Sequence, residues 1–285
     1  MNEITREVVA EILTVLKTHS PYDLTDYSEK SIQRRFEKVL NDFRMSPQEA
    51  IRQIKKNKNF SDELVKAITV NTTELFRDPK QWQELRTYVY PKFKDIPQLN
   101  IWHAGASTGQ EVYSNAILLN ELGLLDRSKL LATDINKDVL DKARQGVYRY
   151  SFNNEYLMNF DMVINEDPLN YQLHRGIPYT KYITVDKKHD KLEMQSFLRK
   201  NVIFQTHDLI KGPSFMQKFH VIFCRNVLIY FNFELQKKII QNFVDSMENG
   251  GVLFLGRHES ILEPRDFHLV REKNFYVKTD MVTEH

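Results

Sequence analysis

From Pro97 onward the chain alternates between two kinds of segment, and this alternation restricts the fold more than any other feature. Short apolar runs of strand length occupy residues 99–104, 129–133, 202–206, 220–224 and 251–255. Amphipathic helical patterns follow several of them, at 111–122, 137–144 and 233–247. A strand covered on both faces reads as a continuous apolar run, and joining parallel strands requires a crossover, usually a helix. The order therefore predicts an α/β domain with a mostly parallel sheet. Closely spaced runs at 267–270 and 275–278 predict a final hairpin. Residues 150–200 break the alternation and are expected to form a small inserted β subdomain, with a strand over 179–185 and a polar turn at 186–191.

The first 95 residues follow a different period. Ile4, Val8, Ile12 and Leu16 recur every four positions, beside Val9 and Leu13. Ser28 is placed to cap a helix whose apolar stripe is Ile32, Phe36, Val39, Leu40 and Phe43, with Arg34 and Lys38 opposite. Ser46-Pro47 opens another helix, with proline at its first position. Ser61 is expected to cap a fourth, running through Leu64, Val65 and Ile68. The predicted division is an all-α domain with a linker over residues 1–95 and an α/β domain over 96–285.

No run approaches the ~20 apolar residues that a membrane-spanning helix needs. The first residues, MNEITREVVAEILTVLK, mix charges into their apolar pattern, unlike a secretory signal. A single cysteine, Cys224, excludes an internal disulfide and a cysteine-only metal site. A cytoplasmic location is expected. The net charge of +2 is too small to imply nucleic acid. It is uneven, however: residues 26–59 carry nine Lys or Arg against five acids, a local +4 that leaves −2 elsewhere. Such a surface suits an acidic partner.

Three constellations carry chemistry. In the first, a strand runs through IWHA into the small-residue turn Gly105-Ala106-Ser107-Thr108-Gly109, which opens a helix at Gln110-Glu111. Glycines let backbone approach a ligand, and the helix start offers free N–H groups. Asp134 ends the next strand, where a carboxylate can accept both hydroxyls of a ribose. Glu111 would repel a diphosphate and suits the positive sulfonium or amino group of S-adenosylmethionine. Two other readings stand beside this: a ligand-free tight connection, and a Gly-x-Ser-x-Gly nucleophile elbow with Ser107 as nucleophile and His258 as base.

The second constellation is VIFCRNVLIYF, in which a buried strand emerges at Arg225 and Asn226, beyond the carboxyl end where parallel sheets bind ligands. Cys224 there reads as a buried thiol. The third is NTTELFRDP over residues 71–79, either a helix end with a capped turn or a polar strip with Arg77 placed to meet a carboxylate. His103, His207 and His258 lie near strand ends as polar loop histidines, and no metal is expected.

In these motifs the chain resembles the chemotaxis receptor glutamate methyltransferases of the CheR type. NTTELFRDP, IWHAGASTGQEVYS and FCRNVLIYF, supported by ATDIN, occur in the family's order and span most of residues 20–260. The resemblance implies a helical domain joined to a Rossmann-like class I methyltransferase domain, with S-adenosylmethionine as cofactor. Its implied contacts are Asn71, Thr73 and Arg77 from the strip, Gly105 from the turn, Glu111 for the amino acid and Asp134 for the ribose. Asp208 and Leu209 would flank the adenine, and Asn226 and Val227 would complete the pocket. Arg77 is the candidate for orienting a substrate carboxylate, with Tyr230 lining the transfer site.

The basic helix, through Arg34, Arg35 and Lys38, resembles the element that docks on an acidic receptor bundle. A monomer without nucleic acid or membrane insertion is expected. The chain departs from the pattern at Gln110, at Asp208 and in residues 150–200, which lack the Gly-rich hairpin turn of members tethered to a receptor peptide. The implied reaction is methyl transfer to receptor glutamate carboxylates. A same-fold carboxyl methyltransferase of another signalling protein, a non-catalytic adaptor and a serine hydrolase are the alternatives.

Overall fold

The structure, a computed structural model, describes residues 4–69, 73–154, 156–170, 172–212 and 215–280. The chain divides into two compact units, Met1–Val70 with Val227–Ile239, and Asn71–Asn226 with Ile240–His285. No helix among the described residues is long and apolar enough to cross a membrane.

The smaller unit is built on four helices: α1 (Arg6–His19), α2 (Glu29–Asp42), α3 (Pro47–Lys56) and α4 (Lys58–Ile68). Their apolar stripes close on one core, in which Ile12, Leu16, Phe36 and Leu64 are fully enclosed. The Ser46 side chain accepts the Glu49 N–H, and proline fills the first position of α3 as the sequence predicts. Ser61 does not cap α4. That helix starts earlier, capped by Asn57, which accepts the Asn59 N–H, and Ser61 lies buried inside it. Ser is favoured at caps, but Asn57 offers a side-chain acceptor oxygen one turn earlier and lets Phe60 join the buried stripe.

The larger unit holds β1 (Leu99–Ala104), β2 (Ser128–Asp134), β6 (Val202–Thr206), β7 (Phe219–Cys224), β8 (Met247–Leu255), β9 (Leu269–Glu272) and β10 (Phe275–Lys278). These form one sheet in the order β6-β2-β1-β7-β8-β10-β9. The pairs from β6 to β8 are parallel, whereas β10 is antiparallel to β8 and to β9. Helices α6 (Gln110–Glu121) and α7 (Lys137–Gln145) leave β1 and β2, and α8 (Phe233–Ser246) precedes β8. A second sheet, β3-β5-β4, pairs β3 (Val147–Arg149) and β4 (Ile183–Asp186) antiparallel on either side of β5 (Lys191–Met194). This is the inserted β subdomain; its hairpin turns through Lys187-Lys188-His189-Asp190, without glycine.

Residues 73–95, expected to continue the helical domain, belong to the sheet unit. Helix α5 (Pro79–Glu84) and the turns after it bury Trp82, Leu85, Val89, Tyr90 and Phe93 in the sheet core. Apolar periodicity announces a helix but not which core it covers. Conversely, Val227–Ile239 is counted with the helical unit, so FCRNVLIYF divides between Asn226 and Val227.

One face of the sheet carries a row of stacked rings at paired positions. His103 on β1 lies 4.4 Å from Phe223 on β7, with the planes 8° apart; Phe223 stacks on Phe254 of β8 at 5.6 Å, and Phe254 on Phe275 of β10 at 5.4 Å. Trp82 covers Phe223 at 5.7 Å. Such contacts fix ring orientation as well as burying area.

Candidate active site

The chain leaves β1 towards β2 on one side and later returns to β7 on the other, so β1 is the point at which the strand order reverses. In open parallel sheets ligands bind beyond the carboxyl ends of strands at that point. Every sequence-predicted site residue of the sheet unit that is described lies at or beside these ends, apart from Thr73 in the half-buried strip.

The turn after β1 is held by its neighbour strand. The N–H groups of Gly105 and Ala106 both donate to the Thr133 carbonyl at 2.8 Å. Ser107 N–H donates to Asp134 Oδ2 and Asn136 N–H to Oδ1, each at 2.9 Å. Tyr148, from the small sheet, donates its hydroxyl to the Thr108 carbonyl at 2.7 Å. Gly109 has φ +90°, and a Cβ there would stand 2.7 Å from Ala143 Cβ. Gly109→Ala combines a disfavoured backbone with an overpacked contact and is expected to cost about 2–4 kcal/mol in urea denaturation. Wild-type stability in that variant would contradict this account of the turn.

Asp134 is buried, and burial raises its pKa above the ordinary aspartate value, opposed by the amide hydrogen bonds from Asn136 and Ser107. Each oxygen uses one acceptor site on the backbone, leaving capacity for further donors. Next to it, His207 N–H donates to the Asp134 carbonyl at 3.0 Å. Asp208 accepts the Ile210 N–H at 3.1 Å and caps the short turn that holds the half-buried Leu209.

Glu111 is not the lone acid that its place in the sequence suggests. Its Oε1 accepts from His103 Nδ1 at 2.9 Å, and its Oε2 lies 3.3 Å from Arg225 Nη1. Burial alone would raise its pKa, but the His103 hydrogen bond and the Arg225 charge outweigh it and hold the carboxyl below its usual range. Arg225 is the residue that sequence reasoning did not single out for a role. Its side chain is 3% exposed, and Nη2 reaches Asp78 Oδ2, the Arg77 carbonyl and Gln81 Oε1, all at 2.8 Å. One guanidinium thus ties the strip before α5 to the end of β7 and the start of α6. With two carboxylates on one guanidinium, the cluster is formally −1, which suits a cationic ligand. The only signal in the sequence was a charged residue emerging directly from a buried strand.

Four non-glycine residues here have left-handed backbone: Phe76 (φ 50°), Asp78 (φ 56°), Ser107 (φ 49°) and Asn226 (φ 61°). Strain of roughly 1–3 kcal/mol per such residue persists where surrounding structure imposes it, often at ligand sites. Phe76 is held by Ser114 Oγ, which accepts its N–H at 2.8 Å, and Asn226 by Glu259 Oε2, at 2.7 Å from its N–H. Ser107 Oγ and Asn226 Oδ1 are buried without partners among the described residues. Orphaned polar atoms at this junction are what a bound polar ligand would satisfy. The Arg77 guanidinium, half-buried, has no ion pair among the described residues.

Not all of the predicted set is gathered here. Asn71 lies outside the described residues. Val227 and Tyr230 belong to the helical unit, where the Tyr230 carbonyl accepts the Ser28 N–H at 2.8 Å. The Arg35 guanidinium lies 5.5 Å from the Tyr230 ring centroid, so Arg35 is half-buried, while Arg34 and Lys38 stand exposed on α2. His103, expected in a polar loop, is fully buried inside β1.

The family described as CheR methyltransferase, SAM binding domain, matches residues 71–166 and 169–276. This chain belongs to the CheR methyltransferase family. It is 37% identical over 242 residues to Cher3 of Pseudomonas putida, covering 84% of each chain. It is 32% identical over 269 residues to a chemotaxis protein methyltransferase of Listeria innocua, covering 93% of this chain and 95% of that one. A third relative, chemotaxis protein methyltransferase 1 of Vibrio cholerae, is 29% identical over 87% of each. As a CheR-family chain it carries an S-adenosylmethionine-binding domain, and that domain contains the turn, Asp134, Glu111 and Arg225. The orphaned Ser107 and Asn226 atoms and the net negative cluster fit this cofactor, whose charge at neutral pH is positive overall.

Proposed function

We propose that this CheR-family enzyme methylates glutamate side-chain carboxylates on the cytoplasmic helices of chemoreceptors, giving methyl esters that adapt the chemotactic response in the cytoplasm. The strongest support is that the family match covers the residues at the ends of β1, β2 and β7, and that the cluster there is net negative beside an Arg77 guanidinium with no ion pair among the described residues. S-adenosylmethionine, when bound, supplies an electrophilic methyl group on a sulfonium. Asp134 accepts the ribose hydroxyls, Glu111 the amino group, and Asp208 with Leu209 borders the adenine. Gly105, Thr73 and Asn226, with Asn71 by its place in the family's motif, complete the contacts.

The substrate carboxylate has an ordinary pKa of about 4.3 and is ionised at neutral pH, so no general base is needed. Catalysis then consists of alignment, with the attacking oxygen nearly in line with the bond that breaks. Arg77 orients that carboxylate through its planar fork of donors. Arg77→Ala is expected to lower kcat for a receptor fragment by about 10–100-fold, the effect of losing one charge-assisted orienting contact, and Arg77→Lys is expected to restore only part. Unchanged kcat in Arg77→Ala would remove this assignment.

Docking uses the exposed basic side of α2. Reversing Arg34 and Lys38 to Glu is expected to slow receptor methylation with a steeper effect at low salt, while S-adenosylhomocysteine affinity stays constant. Equal methylation rates at low and physiological salt would rule out that surface.

A further inference from the structure

Beneath the cofactor-facing end of β1 lies a chain of buried polar groups of which only the last, Glu111, has a role in the scheme above. It runs from Tyr90, through Asn115 of α6 and His103 of β1, to Glu111, and the first three are fully buried. The Tyr90 hydroxyl has one hydrogen-bond partner among the described residues, Asn115 Oδ1, with which it makes a short contact. Asn115 Nδ2 lies 3.0 Å from His103 Nε2, and His103 Nδ1 2.9 Å from Glu111 Oε1.

The directions of these bonds follow from one another. A phenol enclosed beside an amide oxygen can only donate, so Asn115 presents its carbonyl to Tyr90 and its NH2 to His103. Nε2 facing an NH2 must then be the bare, accepting nitrogen, and the proton resides on Nδ1, where it donates to Glu111. A second proton on Nε2 would set two donors against each other in a site without water access. Stacking 4.4 Å from Phe223 holds the ring plane, and a 180° flip within that plane would turn carbon atoms towards Glu111 and Asn115 in place of Nδ1 and Nε2.

We infer that His103 is a positioning residue, locked by Tyr90 and Asn115 as the neutral Nδ1–H tautomer, which fixes the rotamer of Glu111 for the cofactor's amino-acid portion. This rests on the reading that Glu111 holds that portion. Arg225 alone cannot fix Glu111, since it is shared with Asp78, Gln81 and the Arg77 carbonyl and contacts Glu111 at 3.3 Å. His103 supplies the shorter, single-purpose donor on the other oxygen.

The tautomer is read directly on the wild-type protein by two-bond proton–nitrogen correlation with 15N-labelled histidine, using His103→Asn to identify the resonances. A protonated Nδ1 and a bare Nε2 are expected; an Nε2–H tautomer would overturn the lock. The positioning role is read by calorimetry. His103→Phe should weaken S-adenosylhomocysteine about tenfold, as for one charge-assisted hydrogen bond, and leave 5′-methylthioadenosine, which lacks the amino-acid portion, unchanged. His103→Asn, whose amide can stand where Nδ1–H does, should stay within about threefold of wild type. Equal weakening of both ligands, or of neither, overturns the role. If wild-type protein bound neither ligand, the cofactor reading itself would fall, a result distinct from selective failure in the variant. Should His103→Phe not fold, the wild-type tautomer measurement still decides the lock.

Discussion

Asp134→Ala is expected to weaken S-adenosylhomocysteine by about 100–1,000-fold in calorimetric titration. The carboxylate has two tasks. It takes the N–H groups of Ser107 and Asn136, which hold the turn after β1 and the start of α7, and in the proposed function its remaining acceptor sites take a ribose. Hydrogen bonds to a charged group contribute about 1.5–3 kcal/mol each, so losing two near the lower end of that span, about 3–4 kcal/mol together, gives the expected range. A pH dependence follows. Because burial raises the Asp134 pKa, this carboxylate protonates earlier on acidification than Glu111, whose pKa is lowered. Protonation removes an acceptor, so affinity should fall as pH drops through a value above the ordinary aspartate pKa, and Asp134→Asn should lack that fall. An acid limb surviving in Asp134→Asn would assign it to another group.

Arg225→Met is the second large effect, and it concerns stability before chemistry. The substitution leaves Glu111 and Asp78 without their shared cation and frees the Gln81 and Arg77 acceptors. Breaking a buried pair costs about 3–5 kcal/mol. The Asp78 and Glu111 side chains are 24% and 15% exposed, so solvent softens the loss to about 2–4 kcal/mol. For a unit of this size that is a fall in Tm of about 10 °C, followed by circular dichroism. Lysine should restore little, because a point charge cannot replace a planar fork on four acceptors. A shift of under about 2 °C would mean that the cluster does not hold the strip before α5.

The parallel sheet was legible because its strands are apolar on both faces. β1 and β6 begin and end where their runs do, β2 extends one residue further at each end and β7 starts one residue earlier. β8 starts at Met247 rather than at 251, because its first part joins by pairing Met247 with Phe219 across a bulge, not by being apolar. β3 was invisible: three residues, none buried, defined only by pairing with β5. The domain boundary was misplaced because helical periodicity does not name the core it serves. In the site, Gly105 and Asp134 could be picked out as unusual residue types at strand ends, and Glu111 as an acid in the first turn of α6. Arg225 and His103 could not, since their meaning lies in partners distant along the chain, Asp78 and Gln81 for one, Asn115 and Tyr90 for the other. Arg35 illustrates the same limit: the sequence shows its charge but not that it lies 5.5 Å from the Tyr230 ring centroid.

The central claim is most directly tested with S-adenosylmethionine labelled in its methyl group and a purified chemoreceptor cytoplasmic fragment. Label should enter the fragment, leave it as volatile methanol on mild alkaline treatment, as methyl esters do, and disappear when the methylated glutamates are replaced by alanine. Label retained through alkali, or incorporation indifferent to those replacements, would contradict a glutamate carboxyl methyltransferase.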